Sequence, residues 1–153
     1  NLLANATVPG SGSSTGFNTT DIAIPDANQT GIVSPITLGQ STSASAIINV
    51  KIDSLIHPYV ADLTIQLIAP NGSTITLASG VGGAGDNFIN TVFSSSATTA
   101  ISAGVAPFTG SYLPQMAFSN LTGSANGTWN LKVIDGFGQD LGTLMKWSPD
   151  KMD

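Results

Sequence analysis

The chain holds one histidine, His57, and nine acidic side chains, all of them aspartate. A Ser-His-Asp triad needs its histidine as the base. Here His57 is followed at once by Pro58, and no Gly-x-Ser-x-Gly elbow occurs. Hydrolytic zinc needs several His or Cys ligands, and one histidine with no cysteine cannot supply them. A two-carboxylate glycosidase would have to work without glutamate. No catalytic residue is therefore assigned. His57 reads as a structural histidine that bonds the strand ends beside Asp62, and Asp62 as its partner or a strand-end cap.

Oxygen-rich loops suit a hard cation instead. Calcium takes six to eight oxygens from Asp, Asn and backbone carbonyls. The stretch 85–91, GDNFINT, offers Asp86, Asn87 and Asn90, and the turn 135–140, DGFGQD, offers Asp135 and Asp140. Neither is an EF-hand, because no twelve-residue loop closes with glutamate. Structural calcium at one of these loops is the expected cofactor, against the ordinary use of Asp in turns, which is to bond its own backbone.

The elements that must position these groups are strands. Residues 45–70 hold two alternating runs. Val50, Ile52, Ser54 and Ile56 share one parity, and Leu63, Ile65, Leu67 and Ala69 form the second run beyond Pro58. Period-2 patterning with β-branched residues predicts strands. The two runs read as a hairpin-like pair that seeds the core. Further strands are expected at 22–24, at 31–40 as a proline-bearing edge, at 74–77 as a hairpin arm after the Pro70–Ser73 turn, and at 88–93. Short apolar stretches at 107–118 and strands at 126–134 and 141–147 follow. About eight short strands, Gly/Pro/Asn turns and no helical pattern predict an all-β, eight-stranded sandwich or jelly roll. Trp129 and Trp147 lie in alternating runs and belong to its core. Tyr59, Tyr112 and Phe137 lie near turns and are candidates for a partner-facing patch.

At 153 residues the chain is long enough for one domain with its own core. Residues 1–20 read as a Gly/Ser-rich linker from a preceding domain, 21–148 as the domain, and 149–153 as a tail that Pro149 separates from the last strand. Charged residues make up only 8%, against a usual value of about 25%. The net charge of −5 disfavours a nucleic-acid partner, which needs clustered Lys and Arg. No apolar run approaches the ~20 residues of a membrane span. The abrupt polar start reads as a piece of a longer precursor.

Five stretches resemble one family. They are IPDANQTGIVSPITL (24–38), VKIDSLIHPYVADLTIQLIAPNGSTITL (50–77), GDNFINTVFSSSA (85–97), PFTGSYLP (107–114) and NGTWNLKVIDGFGQDLGTLMKWS (126–148). Together they resemble the P (P/Homo B) domain of proprotein convertases, in the form found in bacteria after subtilisin-like serine proteases or secreted metalloproteases. The resemblance implies a β-sandwich attached C-terminal to a peptidase catalytic domain, secreted and monomeric. Its work would be to support folding, stability or substrate interaction, with an effect on calcium and pH dependence. Its partners would be the catalytic domain of the same precursor and a protein substrate. In two respects the chain departs from the family: Ser94 and Ser95 stand where acidic residues often follow the phenylalanine, and the end WSPDKMD (147–153) replaces an expected apolar closing strand. A carbohydrate- or matrix-binding module is the alternative reading, and a surface adhesion module the third.

Overall fold

The computed structural model describes residues 13–15, 17–39 and 43–152. The remainder of the expected linker lies outside the described residues. Among the described residues ten strands form two sheets: β1 Ser13–Thr15, β2 Ile22–Ile24, β3 Asn28–Leu38, β4 Ile47–Ile56, β5 Leu63–Ile68, β6 Thr74–Ser79, β7 Phe88–Ser94, β8 Gly110–Tyr112, β9 Gly127–Asp135 and β10 Gly142–Met152. One sheet runs β1-β10-β4-β7-β8, with β2 also on β10. The other runs β3-β9-β5-β6. All pairs are antiparallel except β7–β8. This is an all-β sandwich, as expected. Among the described residues no helix is long and apolar enough to cross a membrane.

Alternation decides which side chains enter the core. In β9, Trp129, Leu131 and Val133 point inward, and in β5 so do Leu63, Ile65 and Leu67. Each such aliphatic side chain contributes roughly 1.5–3 kcal/mol on burial. The indole N–H of Trp147 in β10 donates to Ser34 Oγ of β3 at 2.8 Å, so one buried bond joins the two sheets. The Trp129 indole donates locally, to the Ala125 carbonyl at 2.9 Å.

Three expectations change. The runs flanking Pro58 do not pair: β4 and β5 lie in opposite sheets and meet across the core. The connection contains a short 3-10 turn, Val60–Asp62, that carries the chain from one layer to the other. The inward parity of β4 also does not persist. Val50 and Ile52 are buried, but so is Leu55, while Ile56 is exposed. The register with β10 shifts beside Ser54, where Lys146 replaces the regular partner. Beyond it His57 faces inward.

Pro149 does not end the last strand. It pairs with Val50, and β10 continues to Met152 with β1 on its other side. Trp147 directs its N–H away from β4, to the Asn18 carbonyl. Pro149, two residues on, has the same orientation, so the N–H it lacks is not one that β4 needs.

Candidate functional site

Four connections close one end of the sandwich: 25–27, 57–62, 80–87 and 136–141. At their centre His57 and Asp135 are both fully buried. Asp135 is the next inward position of β9 after Trp129, Leu131 and Val133, and that parity is the signal in the sequence that places it inside. His57 Nε2 lies 2.8 Å from Asp135 Oδ2. The backbone N–H of Tyr59 donates to His57 Nδ1 at 3.1 Å. A backbone N–H can only donate, so Nδ1 is unprotonated and Nε2 carries the proton. The pair is a neutral imidazole donating to a carboxylate, a charge-assisted bond. The other oxygen, Oδ1, accepts from the N–H of Phe137 at 3.2 Å.

Around this pair the backbone is tied together. Asn87 Oδ1 accepts from the His57 N–H at 2.9 Å, and the Asn87 N–H donates to the His57 carbonyl at 2.9 Å. The Gly136 N–H donates to the Asp62 carbonyl at 3.0 Å. The Val60 N–H donates to Gly85 O, and the Gln139 N–H to Asp26 Oδ2. Gly142 begins β10 so close to this centre that an added Cβ would stand 2.6 Å from Ile56 O and 2.7 Å from His57 Cδ2.

The structure therefore gives His57 a different carboxylate from the one expected. Asp135 accepts the hydrogen bond from Nε2, and Asp62 stands nearby: one ligand atom each from His57, Asp62 and Asp135 lie within 4.8 Å of one another. The Asp62 carboxyl is pushed above its ordinary value of 3.8, first by desolvation and then by the negative charges of Asp135, Asp140 and Asp26. Asp26 is the residue that sequence reasoning missed. Its Oδ1 is buried with no hydrogen-bond partner. Only its place after Pro25 marks it in the sequence, and any turn would use Asp there.

Of the expected calcium donors, Asp135 and Asp140 thus belong to the surroundings of Asp62. In the 85–91 loop, Asp86 and Asn90 are exposed, and the Asn87 oxygen is committed to the His57 N–H. Two carboxylates close together, plus the unpartnered oxygen of Asp26, fit the oxygen chemistry of a hard cation. The chemistry available at this end is attraction of positive charge. The imidazole is sealed inside.

The aromatic expectations divide. Trp129 and Trp147 are fully buried, and Tyr59 and Phe137 are exposed. Tyr112 is half-buried and packs edge-on against Phe108, with ring centroids 6.0 Å apart, so it is removed from the partner-facing set. A cleft of about 410 Å³ elsewhere holds Ser45, Ser95, Gln115 and Ser119, and no titratable group lines it.

Comparisons with known proteins agree with this architecture. A family model for the proprotein convertase P-domain matches residues 46–148. The chain is 30% identical over 131 residues to leupeptin-inactivating enzyme 1 of Streptomyces exfoliatus, covering 85% of this chain and 24% of that protein. It is 35% identical over 130 residues to a transglutaminase-activating metalloprotease of Streptomyces mobaraensis, covering 85% of this chain and 14% of that protein. The chain thus spans a quarter or less of these relatives. A serine protease of Aeromonas sobria has the same fold over 97% of this chain and 28% of its own, with TM-score 0.57 and 18% identity. The same type of protease in complex with its chaperone matches with TM-score 0.54 and 17% identity, over 92% of this chain and 27% of that one.

Proposed function

The chain belongs to the proprotein convertase P-domain family, and on that premise we propose that it is a non-catalytic accessory module of a secreted endopeptidase. Its work is physical: it binds the catalytic domain of its own polypeptide and raises that domain's stability by mass action. The observation that carries this reading is the burial of the single histidine, whose Nε2 N–H donates to Asp135 where no substrate can reach it. The exposed Tyr59 and Phe137 support a binding role, and a protein substrate is a further partner they could serve.

Structural calcium belongs to the same proposal. Asp62 would hold it, with Asp135, Asp140 and the free Oδ1 of Asp26 as the oxygens around it. A bound divalent cation would neutralise carboxylates that now repel one another.

The test is removal of the module from the full-length protein. The peptidase should lose secreted yield and thermal half-life, while this chain by itself cleaves nothing. Peptide hydrolysis by the chain alone, lost on changing His57, would overturn the reading. We propose a serine-type parent. Inhibition by a serine-directed sulfonyl fluoride supports that class, and inhibition by a zinc chelator alone replaces it with a metalloprotease. Calcium should raise the unfolding temperature of the chain, and chelation should lower it.

A further inference from the structure

The end of the sandwich that carries His57 and Asp135 is unlike the rest of the surface in two respects. Among the described residues nine large hydrophobic side chains are exposed, and five of them sit here: Ile56, Tyr59, Val105, Phe137 and Leu141. Val105, Leu141 and Phe137 are 79%, 72% and 65% exposed. Their placement at one end follows from the bonds between the connections. Tyr59 and Phe137 donate backbone N–H groups to the two members of the buried pair. Leu141 precedes Gly142, which abuts His57, and Ile56 is the last residue of β4. Val105 precedes Ala106, which lies against Gly85.

The second respect is charge. Asp26, Asp62, Asp86 and Asp140 all stand in these connections. Among the described residues the only ion pairs are Lys51–Asp53 and His57–Asp135, so none of the four has a cationic partner. Lys51, Lys132 and Lys146 lie within β4, β9 and β10, three or more residues from this end, or about 10 Å at strand spacing. One divalent cation would still leave an excess of negative charge.

We infer that this end is the docking face for the catalytic domain of the same polypeptide, and that the complementary face presents an apolar patch rimmed by Lys or Arg. The inference rests on the accessory-module reading. The occupant follows from two observations. Exposed apolar side chains in the same connections as carboxylates that lack a cationic partner fit a surface that is apolar and carries Lys or Arg. The relatives carry three quarters or more of their length beyond the part this chain matches, so in them such a partner is tethered to the module. Tethering keeps the effective concentration high, so a modest interface suffices.

The test uses the full-length protein that carries this chain, with F137S/L141S as the disrupting pair. V33S/M116S, which removes exposed apolar groups from other faces, is the control. All four side chains are on the surface, so the fold should survive, as circular dichroism would verify. In the disrupting pair, segments 57–62 and 135–141 should exchange backbone hydrogens on the order of tenfold faster, and thermal inactivation of the peptidase should quicken similarly. D86N/D140N should reduce the salt sensitivity of that inactivation. If F137S/L141S behaves like the control while deletion of the whole chain still destabilises the peptidase, the docking face lies elsewhere and the accessory reading stands. If deletion also has no effect, both fall. Concentration-dependent dimers lost on F137S/L141S would assign the face to a second copy and overturn the inference.

Discussion

At the end of the sandwich away from His57, the connections 70–73 and 121–126 are joined by neutral groups. Asn71 Nδ2 donates to Thr122 Oγ1 at 3.0 Å, and the Ser73 hydroxyl both donates to the Thr122 carbonyl and accepts from its N–H. At the His57 end the same task falls to a buried carboxylate, an imidazole, Asn87 and Asp26, with Asp62, Asp86 and Asp140 adding negative charge in the same connections. The neutral end can exchange each of these bonds for water at little cost, because its groups are exposed or half-exposed. The charged end cannot, because its central pair is sealed from solvent. A small domain with few charges has therefore gathered many of them at one end and buried one. The difference separates an end that merely closes the fold from one under strong electrostatic constraint.

The comparison breaks most sharply if the buried pair is removed. His57→Ala leaves the Asp135 carboxylate with the Phe137 N–H alone in a dry site. Leaving a buried charge without its partner typically costs about 3–5 kcal/mol. For a domain of this size that is a fall in unfolding temperature on the order of 10 °C. Chemical denaturation of the variant would measure it. A loss below about 1 kcal/mol would mean that water reaches Asp135 and that the two ends differ less than described.

Steric closeness at the same end gives the next effect. Gly142→Ala places a methyl against the Ile56 carbonyl and the His57 ring. Overpacking of this kind costs about 1–3 kcal/mol. The variant should also quicken hydrogen exchange at 57–62, because β10 must retreat from that connection. Unchanged exchange would show that the strand relaxes without disturbing the pair.

How much of this was legible in the sequence depends on the range of the force involved. Local patterning located β5, β7 and β9, the buried tryptophans and the exposed Tyr59 and Phe137, because alternation and turn chemistry act within a few residues. It did not reveal that β4 and β5 part into opposite sheets, since both a hairpin and a crossover start from the same two amphipathic runs. The register irregularity beside Ser54 involves β10, more than ninety positions away, and the inward parity of β4 changes at that point, with Leu55 and His57 buried beyond it. The partner of His57 was missed because Asp62 is near in sequence, while Asp135 is near only once β9 has paired with β5. Asp135 was legible in principle as the last inward position of β9. Asp26 was not, because its environment is assembled from other connections.

At the neutral end the expected effects are small. Ser73→Ala removes both bonds between its hydroxyl and Thr122. Water can replace them at this half-exposed site, so the loss should be about 0.5–1 kcal/mol. It should add to that of His57→Ala in a double variant, because the sites share no partners and lie at opposite ends. Marked non-additivity in urea unfolding would show that the two ends communicate.

The smallest effect has the opposite sign and sharpens the contrast most. The folded state raises the pKa of Asp62, so protonated Asp62 is favoured on folding. Its contribution to stability is fully present below the ordinary value of 3.8 and is lost as pH rises through the elevated folded value. Above that value the ionised group opposes folding. In chelator at neutral pH, Asp62→Asn should therefore stabilise the chain, by under about 1 kcal/mol because the site is partly exposed and screened. The gain should vanish as the pH falls below 4 or so, where Asp62 is protonated in both states. Calcium should reverse the sign, since the variant then lacks a proposed ligand. Paired thermal scans with calcium and with chelator would read both arms. A variant less stable than wild type in chelator would mean that Asp62 makes a favourable contact that outweighs its repulsion from Asp135, Asp140 and Asp26.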